Sequence, residues 1–445
     1  MGNSAQRRRG RLRDVALLVA VVPGLLAGAQ AATAAEPRSV TAAEPRSVTA
    51  AEPRNVPAAE PRSDSAAEPR RGTLADQDGL IVVAPDGDDA NPGTIDEPLR
   101  GIQRAVDLAE PGDVIALRGG TYALSTNIQI LHSGEPDAPI TLTAYQGERA
   151  VIDGDALPAS HTPVGGSIPR PQRGAIHQER AAFWIYRDLE IIRGPYGIYC
   201  DSCDDTIFDR LITRDNYESG LQIQGDSSRN QVLDLDSHSN RDPRKNGESA
   251  DGLAIKEGSG EGNVVRGARL WNNVDDGFDA WEFLSPILIE DSIAYGNGAN
   301  RWNFPDFQGD GNGFKLGGGD GPPTDHVVRN NIAFDNEVAG FIDNNNQGTH
   351  VVDRNSSYAN GGYGFRFNRS SSVLTDNLSV GDDVPIQLGD STGSGNSWDR
   401  ADDWEDSDLF SVDPSTISGP RDADGGIPTS NFLVPRDHSD LGARF

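Results

Sequence analysis

The chain is short of the residues that would build most other kinds of protein. It has two cysteines in 445 residues. That excludes a disulfide-framed scaffold and leaves no zinc site, since no further ligands stand at matched spacing. Basic residues are outnumbered, 39 lysines and arginines against 68 acids, for a formal charge of −29. Such acidity excludes nucleic acid and an anionic membrane as partners and fits an exported protein that binds cations. Long apolar runs are missing too: beyond residue 29 nothing is apolar enough to cross a membrane. Helix-period patterns are nearly absent. The single good one is Ile102, Ala105, Val106 and Ala109, so the chain reads as all-β.

The start of the chain is the exception. Arg7, Arg8, Arg9, Arg11 and Arg13 precede an apolar run from Val15 to Ala29, and small-residue cleavage sites end at Ala31 and Ala34. Residues 1–35 therefore read as a secretory signal peptide, which places the mature protein outside the cell. Twin-arginine export is an alternative, although Arg11 sits where that signal prefers an apolar residue. Residues 36–78 carry an eight-residue period marked by Glu36, Glu44, Glu52, Glu60 and Glu68. Proline in every period and no aromatic predict a disordered linker, with a wall- or partner-binding tail as the other reading.

From residue 79 to 445 the chain is one repeat domain. A tetrad of glycine, apolar, any residue and usually apolar recurs at Gly197, Gly220, Gly252, Gly277, Gly313, Gly340 and Gly364. The base period is about 24 residues, lengthened before Asp251 and before Lys315. Short apolar alternations recur in phase, with Asn-rich turns at Asn272-Asn273, Asn330-Asn331 and Asn344 to Asn346. One such unit cannot bury its apolar face alone, but stacked units make a continuous core. This predicts a right-handed parallel β-helix; a β-sandwich would not hold the period over seven units. Residues 79–125 should form a capping segment with a short helix, 126–388 the coils, and 389–445 an irregular tail. Cys200 and Cys203 lie in a strand-turn-strand pattern, so they read as a structural pair, bonded or not, and not as a redox motif.

The period places the chemistry. Alternate residues of a strand face opposite ways. If the apolar members of a tetrad point inward, the third residue points out. Asp279 and Lys315 both occupy that position in consecutive coils, about 4.8 Å apart. Asp251 and Asp276 each precede a tetrad glycine, and Asp275 adjoins Asp276. Four carboxylates so close repel unless they protonate or bind a cation, and all-oxygen ligation suits Ca²⁺. Lys315 beside them can serve as a base in β-elimination on a uronate polymer, with calcium drawing charge from the substrate carboxylate. This predicts an alkaline optimum and loss of activity in chelator. Arg366 shares the outward register two coils on and could hold a neighbouring uronate. Trp281 and Trp302 could stack on sugars or pack beneath loops.

The run ADGLAIK, NNVDDGFDAW and GDGNGFKLGGG resembles polysaccharide lyase family 9, secreted β-helix pectate lyases. The 24 residues from Asp251 to Asp275 and the 36 from Asp279 to Lys315 match that family's motif. The resemblance implies that Asp251, Asp275, Asp276 and Asp279 bind Ca²⁺ and that Lys315 is the base. It implies an acidic polysaccharide substrate, most simply pectate, with no nucleic acid or membrane partner, and a monomer. Three other readings compete: a lyase of a different uronate polymer, a non-catalytic glycan-binding β-helix, and a glycoside hydrolase using Asp306 and Asp310.

Overall fold

The structure is a computed structural model that describes residues 78–400 and 403–445. The predicted leader at 1–35 and nearly all of the tract at 36–78 lie outside the described residues. Among the described residues, strands form three sheets of 12, 10 and 10 members. Each coil sends one strand to each sheet and then returns. Ile207–Asp209, Ile212–Arg214 and Leu221–Asp226 make one such coil, and Gln231–Leu233 begins the next. Strands within a sheet run parallel, as in Ile207↔Gln231 and Ile212↔Asp236. This is a parallel β-helix, and its crossovers take the right hand that parallel connections require.

The corners explain how so short a unit turns. Between the first and second strand of a coil, Arg210, Asp234, Gly267, Asp291, Asn330, Arg354 and Asp376 stack with φ between 49 and 70°. A left-handed residue other than glycine costs about 1 kcal/mol, so the packing of neighbouring coils must hold it. A second left-handed column follows the second strand, at Asp215, Ser239, Asn272, Gly296, Asp335, Ala359 and Gly381. The residue after each of these points inward and forms a polar ladder: Asn216, Asn240, Asn273, Asn297, Asn336, Asn360 and finally Asp382. Each backbone N–H and side-chain amide donates to the Oδ1 of the next, as Asn297 does to Asn336 at 3.2 and 2.9 Å.

Apolar side chains fill the bore. Phe314, Phe341 and Phe365 stack at 5.1 and 4.9 Å between ring centres. Helix α1 (Ile102–Leu108) buries Ile102, Ala105 and Val106 against the first strands. Strand pairing already begins at Leu80–Val83 and continues to Thr392–Ser394. The N-terminal segment thus supplies strands as well as a cap, and the tail begins with one more strand. Beyond it, Ile417, Phe432 and Leu433 cover Ile293, Phe334 and Leu378 of the second sheet. Arg421 ties the tail back to Asp236 at 2.8 Å. Cys200 and Cys203 are buried and joined by a disulfide. Among the described residues no helix is long and apolar enough to cross a membrane.

Candidate active site

Six successive strands of the third sheet carry the site: β1 (Leu221–Asp226), β2 (Leu253–Ser259), β3 (Phe278–Asp279), β4 (Asn312–Lys315), β5 (Ala339–Ile342) and β6 (Tyr363–Phe367). Phe278 pairs with Phe314, and Asp279 with Lys315. The phenylalanines enter the core, which fixes Asp279 and Lys315 on the opposite face. They are nevertheless buried, Asp279 at 2% and Lys315 at 7% exposure, as are Asp251, Asp275 and Asp276 at 1% or less. The two insertions that lengthen the period lie against each other, with Gln308 N donating to the Asn246 carbonyl at 3.0 Å.

Asp251, Asp276 and Asp279 bring one carboxylate oxygen each within 4.8 Å of one another, and Asp275, Asp276 and Asp310 do the same. Lys315 Nζ lies 3.0 Å from Asp276, 2.9 Å from Asp310 and 3.9 Å from Asp279. The four aspartates are thus two overlapping groups joined at Asp276. Asp310 and Lys256 belong to the site beyond the residues named from the repeat. Asp310 donates its backbone N–H to Asp275 at 2.6 Å and sends its carboxylate to Lys315. Lys256 bridges Asp251 Oδ2 at 2.8 Å and Asp279 Oδ2 at 2.9 Å. The alternation that found Asp279 could have found Lys256, which points outward two residues after Ala254. Asp310 lies in an insertion with no period, so only its spacing of five from Lys315 hinted at a role.

Electrostatics divide the acids. Burial pushes Asp276 up to about 7, helped by Asp279 and Asp251 and opposed by Lys315. Burial, then Asp276 and Asp251, raise Asp275 well above the carboxylate range. Burial also lifts Asp251, against Lys256. On Asp279 burial acts upward too, but Lys256 and Lys315 together outweigh it and leave this carboxyl below its ordinary value. Burial works to lower Lys315, yet Asp276, Asp279, Asp275 and Asp310 hold it well above the usual lysine range.

The donor set fits a hard divalent cation. Calcium takes oxygens at about 2.3–2.6 Å, so ligands on opposite sides stand about 5 Å apart. Asp276 Oδ2 is the telling atom. It is buried and makes no aligned hydrogen bond, having only the ammonium of Lys315 nearby. Its counter-charge is that ammonium, so the oxygen becomes free for a metal ion when Lys315 turns neutral.

Arg366 lies two coils beyond Lys315 through Ile342. It is half-buried, donates to Gln387 at 3.0 Å and lies over the Tyr363 ring. Trp281 packs beneath Gly318, where an added Cβ would come within 1.9 Å of the indole at a backbone φ of 144°. Trp302 is half-buried and stacks on Phe304 at 6.4 Å. Asp306 is exposed, while Asp310 joins the lysine.

The family model described as "Pel9A-like, right handed beta helix region" matches residues 81–377. Pectate lyase PEL9 of Emericella nidulans is 50% identical, over 82% of this chain and 94% of its own length. Pectate lyase L of Dickeya dadantii is 34% identical, over 80% of this chain and 83% of its own. Among solved structures, that of pectate lyase Pel9A superposes with a TM-score of 0.71 at 32% identity, over 82% of this chain and 91% of its own.

Proposed function

The chain belongs to the Pel9A-like right-handed β-helix family, and we propose that it is a calcium-dependent lyase of pectate with Lys315 as its base. The observation that carries this reading is Lys315 held in register beside Asp279 against a buried carboxylate cluster. A glycan-binding module has no need of such a lysine. The substrate class rests on the relatives, pectate lyases in name. The leader-like segment at 1–35 supports action outside the cell.

Asp251, Asp275, Asp276 and Asp279 would hold the calcium. Bound there, it would offset the charge of the uronate carboxylate and so ease loss of the neighbouring C5 proton. Lys315 is held protonated while the aspartate charge faces it. A cation held by those aspartates would take up that charge and lower the lysine's pKa, so that the ammonium could give its proton to water and stand as the neutral amine. The amine takes the C5 proton. The C5–H electron pair becomes the C4–C5 double bond, the C4–O bond breaks, and the departing glycosidic oxygen takes a proton from water. Asp310, exposed and 2.9 Å from Lys315, can move aside as a sugar enters. Arg366, on the same face two coils along, would pair with a neighbouring uronate.

Ultraviolet absorbance of the new double bond tests the reading. The chain should raise it on polygalacturonate with calcium and lose all of it in chelator. Cleavage without absorbance would mark a hydrolase. Absorbance on another uronate polymer alone would move the substrate and keep the chemistry. Turnover that survives the chelator would remove the metal from the account.

A further inference from the structure

Lys256 lies on β2, outward like Ala254, and its ammonium spans two coils. It donates to Asp251 Oδ2 at 2.8 Å and Asp279 Oδ2 at 2.9 Å, and the side chain is buried, at 10% exposure. Ser219 Oγ makes a further contact to Asp251 Oδ2 at 3.2 Å. The Oδ2 atoms of both acids are therefore engaged. Each Oδ1 atom accepts one backbone hydrogen bond, Asp251 Oδ1 from Asp276 N at 3.4 Å and Asp279 Oδ1 from Trp281 N at 3.0 Å, with Lys315 Nζ 3.9 Å from the latter. A two-handed tether of this kind fixes which oxygen each carboxylate turns toward Asp276.

We propose that Lys256 is a positioning residue for the metal site: by binding one oxygen of Asp251 and one of Asp279, it presents the other two to the cation. Its second effect is on charge. A single buried ammonium offsets part of the repulsion among four clustered acids, which lets the coil close before any metal arrives. Lys256 thus differs from Lys315. Lys315 contacts Asp276, Asp279 and the exposed Asp310. Lys256 is locked between two acids and has no part in proton transfer. The proposal rests on the calcium reading above.

Calorimetric titration of calcium into the substrate-free protein is the test. Outer partners of metal ligands are worth about 10–100-fold in affinity. Lys256→Met keeps the stem and removes the ammonium, so it should weaken calcium binding by about that factor. Lys256→Arg should recover part of the loss. On polygalacturonate, Lys256→Met should raise the calcium concentration that gives half-maximal rate by a similar factor. Lys256→Gln carries the same titration if the Met variant does not fold. Calcium binding as tight as in the parent, or tighter, would overturn the proposal and make Lys256 a competitor for the same oxygens. A parent chain that binds no calcium would end both this proposal and the calcium reading.

Discussion

Two buried polar stacks run along this coil, and they are built to opposite ends. The asparagine ladder from Asn216 to Asn360 meets its own needs. Each Oδ1 accepts from the coil before, and each amide donates to the coil after. The stack of Ser219, Asp251, Asp276 and Asn312 is also linked coil to coil, through Asp276 N to Asp251 and Asn312 N to Asp276. Here, however, amides have given way to acids, and Asp276 Oδ2 lacks an aligned partner. Replacing Asn by Asp keeps the shape and removes the donor. Repeated coils make such a swap feasible, because neighbouring coils fix the backbone whatever the stack contains. The first stack satisfies its own polar groups, while the acids of the second and those beside it outnumber the two ammoniums, Lys256 and Lys315, that face them.

The comparison breaks most visibly at Lys315. Lys315→Ala should lower kcat on polygalacturonate by about 10²–10⁴-fold, the usual worth of a positioned base. With calcium bound to offset the acids, thermal melting of the same protein should change little. Loss of both together would mean that Lys315 is a structural counter-ion. The opposite profile is expected of Asn297→Ala. This change strips donors and acceptors from Asn273, Asn336 and the Leu270 carbonyl. It should cost about 2–3 kcal/mol in denaturant unfolding, since buried partners are left unsatisfied, while kcat stays near the parent value.

A third stack sharpens the contrast. His326 and His350 replace amides in another ladder: Ile287 N donates to His326 Nδ1 and His326 N to His350 Nδ1. Burial pushes His326 down to about 4 and His350 well below its ordinary value. The folded state therefore binds these protons less readily than the unfolded chain. Their contribution is complete above about pH 6.5 and is lost as pH falls toward 4. Paired His326→Asn and His350→Asn changes should spare on the order of 2 kcal/mol of that acid loss, read from unfolding curves at pH 7 and pH 4.5.

Much of this was legible before any coordinates, and the reasons are local. The glycine tetrad and its period placed Asp279 beside Lys315, because strand alternation and coil stacking leave one arrangement. Left-handed asparagines at Asn272 and Asn330 were readable from turn chemistry. The arginines, serine and alanine in the same left-handed columns were not, since those residues adopt such angles only when neighbouring coils impose them. Lys256 was present in the motif but lies two residues beyond the tetrad's outward position, and nothing in its own strand shows that it reaches Asp279 on the next coil. Asp310 sits in an insertion where counting residues gives no register. Whether Cys200 and Cys203 bond depended on a turn geometry that spacing leaves open.

The central claim is that the carboxylate stack is an asparagine-like ladder made unstable so that it takes up a cation. Asp275→Asn, which removes the carboxylate crowding the stack at Asp276, tests it most directly, with calcium affinity by calorimetry and melting in chelator measured on the same preparation. The account predicts calcium binding weakened at least tenfold, together with a metal-free protein more stable than the parent by about 1 kcal/mol. Unchanged calcium affinity with no gain in chelator would contradict it.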